Sequence, residues 1–188
     1  EYFLLSHNNM SVNNTKYMYV YSNIPEISDF RPIHLAVTQH GVAMLRYGIT
    51  QDSFITILKD KFSDSQISIN PGTHVVIEQI DEYLQESRKQ FLYDLDLRNC
   101  SKFQKSVLNE VLNIPYGQTT TYQSIGQSIG NPKASRAIGV ALANNPLPIV
   151  VPCHRVIHAN GNIGGYLGSP HNNTKICLLQ LETNLMDK

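Results

Sequence analysis

The spacing of apolar residues along the chain alternates between a period of two and a period of three to four, and each change marks an element. Tyr17-Met18-Tyr19-Val20-Tyr21, Ile33-His34-Leu35-Ala36-Val37 and Val42-Ala43-Met44-Leu45-Arg46-Tyr47 read as strands, because aromatic and β-branched residues suit a pleated, half-buried surface. Between the last two, Gln39-His40-Gly41 predicts a hairpin turn, with glycine supplying the positive φ. Phe54, Ile55, Leu58 and Phe62 share a helical face, as do Val76, Ile77, Ile80, Tyr83 and Leu84 after the Asn70-Pro71-Gly72 break. Leu92 to Leu97 alternates as a strand with one wet face. A helical stripe of Phe103, Val107, Leu108, Val111 and Leu112 then ends at Ile114-Pro115-Tyr116-Gly117. Thr121 predicts the cap of a helix from Tyr122 to about Ser128. Gly130-Asn131-Pro132 breaks it, and a second helix runs from about Lys133 to Ala143, where Asn144-Asn145-Pro146 stops it. Two short helices across a glycine-containing turn form a helix-turn-helix pattern. No internal repeat is visible.

The strands and helices of residues 17–98 carry no G-x-G-x-x-G or Walker sequence, so this half reads as a small α/β roll domain without chemistry of its own. Residues 99–188 read as a mainly helical C-terminal domain, and residues 1–16, rich in Asn, Ser and Tyr, as a tail. The expected fold class is therefore α/β. With 188 residues, 41% hydrophobic and 16% charged, the chain can bury a core and falls outside the disordered class. No apolar run approaches the roughly 20 residues that span a bilayer, so no membrane partner is expected. The start, Glu1-Tyr2-Phe3-Leu4-Leu5, lacks the basic region of a signal peptide and an initiator Met, which leaves open that the chain is a fragment. Cys100, Cys153 and Cys177 are odd in number and widely spaced. That argues against a disulfide framework or a cysteine-rich zinc site and fits a reducing, intracellular compartment. No metal and no cofactor are expected. The glycosylation sequons at Asn13 and Asn172 read as chance. Residues 1–98 carry 8 Lys/Arg against 12 Asp/Glu, net −4, and residues 99–188 carry 7 against 3, net +4. The second half is the candidate for a polyanionic partner, although short segments often differ by a few charges.

The stretch from Pro146 to Ile157, Pro-Leu-Pro-Ile-Val-Val-Pro-Cys-His-Arg-Val-Ile, carries the chemistry. Proline disfavours helical conformation in the residue before it, so Pro148 and Pro152 predict a stiff, strand-like segment. A cysteine held beside His154 and Arg155 is expected in an electropositive setting that favours the nucleophilic thiolate. A Cys-His pair by itself is more often a structural cysteine beside a surface pair.

Pro-Cys-His-Arg-Val within this apolar stretch resembles the signature of the O6-alkylguanine-DNA alkyltransferase family. The resemblance extends to an Asn hinge eight residues before the cysteine, here Asn145. It includes the helix-turn-helix, here Thr121 to Gly126 and Gly130 to Gly139, and a glycine-rich loop, here Gly161 to Tyr166. It ends with the helix carrying Leu178-Leu179-Gln180-Leu181-Glu182. It is dense from Phe103 to Glu182 and rests on pattern alone from about Tyr17 to Asn99.

The resemblance implies a ribonuclease-H-like roll for the N-terminal domain, and double-stranded DNA containing O6-alkylguanine as partner, bound by a monomer through the minor groove. It implies repair by irreversible, single-turnover transfer of the alkyl group from O6-alkylguanine, and from O4-alkylthymine, to Cys153. His154 would take the thiol proton through a water, with Glu182 orienting and charge-balancing it. Tyr122 would donate to the guanine ring, and Asn145 would hold the active-site turn. The Val156 carbonyl, Tyr166, Leu167 and Gly168 would form the substrate pocket. Gln123, Asn131, Ala134, Ser135, Arg136 and Gly139 would meet DNA, with Arg136 filling the gap left by a flipped base. A minor groove about 6 Å wide admits a helix only through small residues. Ala134, Ala137 and Ala141 are expected to supply that face, although small residues also let helices pack closely. Leu167 stands where some members carry a small hydroxyl residue and others Arg, and Ala143-Asn144 lacks a basic residue some members place there. A non-catalytic lesion binder and a DNA-binding regulator remain as rivals. The first replaces the acceptor cysteine; the second needs a dimer or effector surface.

Overall fold

The computed structural model describes residues 16–23, 32–170 and 173–183. The tail expected over residues 1–16 lies outside them apart from Lys16, as does the first sequon. The strands β1 (Lys16–Asn23), β2 (Ile33–Thr38), β3 (Gly41–Tyr47) and β4 (Ser65–Ile69) form one sheet in the order β3-β2-β1-β4. The β1–β2 and β2–β3 pairs are antiparallel, whereas β1 and β4 run parallel, β4 being reached from β3 through helix α1 (Gln51–Lys61). Thr50 starts that helix by accepting the Ser53 N–H. Helix α2 (Val75–Leu84) follows, then α3 (Lys102–Leu112), β5 (Thr120–Thr121), α4 (Tyr122–Ser128), α5 (Ser135–Ala143), β6 (Val156–Ile157) and α6 (Asn173–Thr183). The fold is mixed α/β.

Alternation along the strands sends side chains to two cores. One face of the sheet buries Met18, Val20, Ala36, Ala43 and Met44 against Phe54 and Leu58 of α1. From the other face a continuous core runs through Ile77 and Ile80 of α2 to Val107 and Val111 of α3, and on to Ile138, Val151 and Leu178. The interior of the N-terminal half is thus shared with the C-terminal half. Among the described residues no helix is long and apolar enough to cross a membrane.

Two expectations need correction, and one strand was not anticipated. Leu92 to Leu97 is not a strand. It makes one bridge, Leu95 to Val42, with the Val42 N–H on the Asp94 carbonyl (2.9 Å) and the Asp96 N–H on the Val42 carbonyl (2.8 Å). Strand β4 went unread because Gln66 and two serines sit on an edge strand that buries little. The segment from Pro146 to Arg155 is a coil of tight turns and not strand-like; only Val156–Ile157 is extended. The Val151 N–H bonds the Leu147 carbonyl (2.8 Å), Ile149 takes φ 72°, and Cys153–Arg155 forms a single 3₁₀ turn. Proline restricts the residue before it and leaves the turns between prolines free.

Candidate active site

Each strap on this coil comes from a different element. Asn145, just past the end of α5, turns its amide inward. Its Nδ2 donates to the Val151 carbonyl (2.9 Å) and to Cys153 Sγ (3.1 Å), and its Oδ1 accepts the Leu147 N–H (2.9 Å). From β3, the Leu45 N–H and Arg46 Nη1 both donate to the Pro146 carbonyl, at 2.8 and 3.0 Å. The Cys153 N–H reaches the Val151 carbonyl at 2.7 Å. The two-residue ladder between β5 and β6 then sets Thr120 beside Val156, so α4 starts directly over the coil. Thr121 caps α4 as the sequence predicts, accepting the Ser124 N–H at 3.0 Å.

Cys153 forms part of the wall of a cavity of about 710 Å3, a volume suited to a nucleobase-sized ligand. The same cavity is lined by Tyr122, Tyr166, Leu167 and Gly168, and it widens to Gln123, Ser135, Arg136 and Gly139 at the surface. Parts of the two groups singled out in the sequence, pocket and binding face, therefore share one space, although Val156, expected in the pocket, is fully buried and does not line it. The glycine-rich loop is shaped for it. Gly164 has φ 75°, and a side chain there would meet the ring of His158, which itself packs on Tyr122 with centroids 5.2 Å apart. Leu167 (φ 49°) and Gly168 (φ 83°) form the tip of a tight hairpin closed by hydrogen bonds between Tyr166 and Ser169. A turn with positive φ at both central positions has this form.

Asn131 and Ala134 do not line the cavity. Asn131 lies exposed in the α4–α5 turn, bonding the Ile129 carbonyl (3.0 Å), and Ala134 is half-buried against the core. Helix α5 begins at Ser135, two residues later than expected. Its small face is also different. Burial of Ile138 and Leu142 turns Ala141 inward, leaving Arg136, Ala137 and Val140 outermost, with Ser135 and Gly139 half-buried beside them. Gly126 lets α4 lie against the intervening turn, since a side chain there would stand 2.8 Å from the Asn131 carbonyl oxygen.

Behind the cysteine, Glu182 of α6 collects four donor groups. His154 Nε2 approaches at 2.8 Å; Arg155 binds with Nε (2.8 Å) and Nη2 (2.7 Å); the Tyr83 hydroxyl donates at 2.6 Å; and the Gly117 N–H reaches it at 3.1 Å. Burial alone would raise the carboxyl's pKa, but the bonds from His154 and Arg155 hold it at about 2. Burial in turn lowers the pKa of His154 against the pull of Glu182, so the imidazole rests neutral. Its Nε2–H is committed to the carboxylate. The basic nitrogen is then Nδ1, which is buried and hydrogen-bonded to no described residue.

This arrangement corrects the expectation of a resting thiolate. Arg155 is neutralised by Glu182 and His154 carries no charge. Burial raises the Cys153 thiol to about 11, even though Asn145 and Lys175 pull it down. At neutral pH the sulfur is a thiol beside a poised base, and its proton must leave during reaction.

Sequence reasoning missed Tyr83, Arg155 as an ion-pair partner, and Lys175. Tyr83 could be read only as a core position of α2. Lys175 left a signal. It lies on one helical face with Leu178 and Glu182, all three buried. Its Nζ donates to the Val156 carbonyl at 2.6 Å and reaches the Gly165 carbonyl at 3.4 Å. Among the described residues no group of three or more His, Cys, Asp or Glu side chains could hold a metal ion.

Residues 102–184 match the family model described as 6-O-methylguanine DNA methyltransferase, DNA binding domain. A methylated-DNA–protein-cysteine methyltransferase of Methanosarcina acetivorans is 48% identical over 144 residues, which is 74% of this chain and 85% of that protein. The Mycobacterium leprae protein of the same name is 43% identical over 106 residues, 56% of this chain and 62% of the relative. The crystal structure of Mycobacterium tuberculosis OGT in complex with DNA superposes with a TM-score of 0.71 at 33% identity. That match covers 89% of this chain and 93% of the other.

Proposed function

Because the chain belongs to the methylated-DNA–protein-cysteine methyltransferase family, we propose that it repairs DNA by taking the alkyl group of O6-alkylguanine onto Cys153, once per molecule. The observation that carries this reading is the position of Cys153. It stands in the wall of a nucleobase-sized cavity that opens on the exposed face of α4 and α5, with Asn145 Nδ2 on its sulfur.

The O6 position is inside the duplex stack, so the damaged nucleotide must be rotated out to reach the sulfur. Helices α4 and α5 act as a helix-turn-helix laid in the minor groove. Ala137, Ser135 and Gly139 keep that face low, and Arg136 fills the space left by the base. Of the two domains proposed, 17–98 is the roll and 99–188 the reactive half.

Transfer is an in-line displacement. The sulfur–carbon bond forms as the carbon–O6 bond breaks. The thiol proton passes, through a water, to Nδ1 of His154, whose charge Glu182 balances across 2.8 Å. The electron pair left on the base is delocalised into the ring, which takes a proton from the Tyr122 hydroxyl; the proton held by His154 returns to that phenolate through water, leaving guanine, thioether and a neutral imidazole. A carbonyl oxygen has two lone pairs, so the Val156 carbonyl can accept the guanine amino group while it also accepts Lys175. The thioether product offers no leaving group to water, so the protein does not turn over. Intact mass measurement after incubation with O6-methylguanine duplex tests the reading. One methyl group per chain should map to the peptide containing Cys153, and none should appear on Cys153→Ser. Repeated turnover, or an adduct on Cys100 or Cys177, would refute it.

A further inference from the structure

Helix α5 has a cavity on each flank. Ser135, Arg136, Gly139 and Ala143 face the one that holds Cys153. On the other flank, Ala137, Val140 and Asn144 border a cleft of about 640 Å3 at the seam between the two halves of the chain. Gln104 of α3 fixes this end of α5 by donating to the carbonyls of Ala141 (3.3 Å) and Asn144 (3.0 Å). The facing wall comes from the N-terminal half, with Arg46 of β3 and Lys61 at the end of α1.

The cleft carries positive charge that nothing within it balances. Arg46 donates through Nη1 to the main-chain carbonyls of Leu45 (2.6 Å), Pro146 (3.0 Å) and Asn145 (3.5 Å), all neutral acceptors. Its Nε and Nη2 make no hydrogen bond to a described residue. Neither Arg46 nor Lys61 forms an ion pair with a described carboxylate. Asp96 is the one carboxylate among the described residues lining the cleft, and it is already taken. Arg98 binds it through Nε and Nη2, both at 2.8 Å, and Thr38 donates to it at 2.6 Å. A guanidinium pinned at one nitrogen, with donors to spare, loses little freedom when it grips a phosphate.

A helix lying in a groove has a strand of DNA along each flank. The damaged nucleotide enters the cavity beside Cys153, so its strand follows that flank and the complementary strand follows the other. We propose that the seam cleft is a second DNA contact, in which Arg46 and Lys61 hold the phosphodiester backbone of the strand opposite the damaged base. The inference deepens the proposed function and rests on α5 lying in the minor groove. The cleft is continuous with the groove-facing side of α5, because Val140, 63% exposed, belongs to both. The N-terminal half, without chemistry of its own, thereby takes part in gripping DNA.

The chain carries its own footprinting probe, since Cys100 lines the cleft and Cys177 lies exposed on α6 outside it. Cys153→Ser holds an O6-methylguanine duplex unreacted. On that background, duplex should slow iodoacetamide labelling of Cys100 in proportion to the fraction of protein bound and leave Cys177 unchanged. Inorganic phosphate at the same phosphorus concentration should give no protection. Cys100 labelled equally fast in complex and free protein would overturn the proposal, as would protection by phosphate without protection by duplex. Losing one phosphate contact lowers the slope of log affinity against log salt by about 0.9. Lys61→Gln should show that loss on undamaged duplex. Lys59→Gln, which removes an exposed lysine of the same helix outside the cleft, should keep the wild-type slope. A wild-type slope in Lys61→Gln, or in an Arg46→Met protein shown to be folded by circular dichroism, would also overturn it. If protection and slope hold but no methyl group reaches Cys153 in the wild type, the repair reading falls and this one stands. If transfer occurs and Cys100 stays reactive in the complex, only this one falls.

Discussion

Replacing Glu182 by Gln separates charge from shape in the relay. The carboxylate touches His154, Arg155, Tyr83 and Gly117, and its closest approach to the imidazole is 2.8 Å. An opposite charge within about 4–6 Å raises a base's pKa by about one to three units, so its removal weakens His154 as a base by that much. At tenfold per unit, transfer should slow by about tenfold to thousandfold. The substitution also leaves the Arg155 guanidinium buried without its counter-charge, which costs about 3–5 kcal/mol. Rates must therefore be read below the variant's melting transition. The assay is single-turnover repair against pH, with circular dichroism on the same samples. In the wild type, thiol and neutral imidazole together hold one proton throughout, so the rate should be nearly flat from neutrality toward the thiol's own value of about 11. In Glu182→Gln the base no longer competes with hydroxide, and the rate should climb about tenfold per pH unit. Tyr83→Phe is the control. It removes the 2.6 Å bond and keeps the charge, so it should cost about 1–3 kcal/mol of stability while keeping the flat profile. A folded Glu182→Gln protein with wild-type rate and profile would refute the relay.

Arg136→Ala should slow repair in duplex DNA far more than reaction with free O6-benzylguanine, because only the duplex requires flipping; equal losses would assign Arg136 to the fold. Asn145→Ala removes three buried hydrogen bonds and orphans the Leu147 N–H, so melting should fall by about 10 °C; an unchanged melting curve would contradict the coil's described strapping. The Glu182 carboxyl is depressed from 4.5 to about 2. Its stabilisation is therefore full above the unfolded value and is lost as pH falls from 4.5 toward 2, and acid titration of the melting temperature should show a drop in that window that Glu182→Gln lacks. Asp96, also held at about 2, adds to the wild-type drop and should remain in the variant.

What the sequence made legible is what is local. Thr121 announces its helix because a side-chain oxygen three residues before a free N–H needs nothing else. Phe54 and Leu58 announce theirs by period. Cys153, His154, Asn145 and Glu182 could be singled out through the family resemblance, and the geometry brings Asn145 onto Cys153 and Glu182 onto His154. Residues joined only by the tertiary fold were not legible. Tyr83 meets Glu182 across a separation of 99 positions, and nothing in its helix distinguishes it from a packing residue. Lys175 shares the face of Leu178 and Glu182, but a lone lysine in a helix ordinarily reads as solvated. The resting thiol was misjudged for a related reason. His154 and Arg155 look cationic beside Cys153 until Glu182 folds back and claims both.

That claim has a consequence for how the protein is made. Cys153 leaves the ribosome before Glu182 does, and the acid becomes fully partnered only after Tyr83 of α2, the Gly117 turn and α6 have met. Until then the neighbouring imidazole has no balancing carboxylate, and the cysteine is an ordinary thiol. A molecule that can react only once has reason to delay its reactivity until assembly is finished. Here the delay would require no separate inhibitor, because a helix synthesised after the cysteine brings in the carboxylate that meets His154.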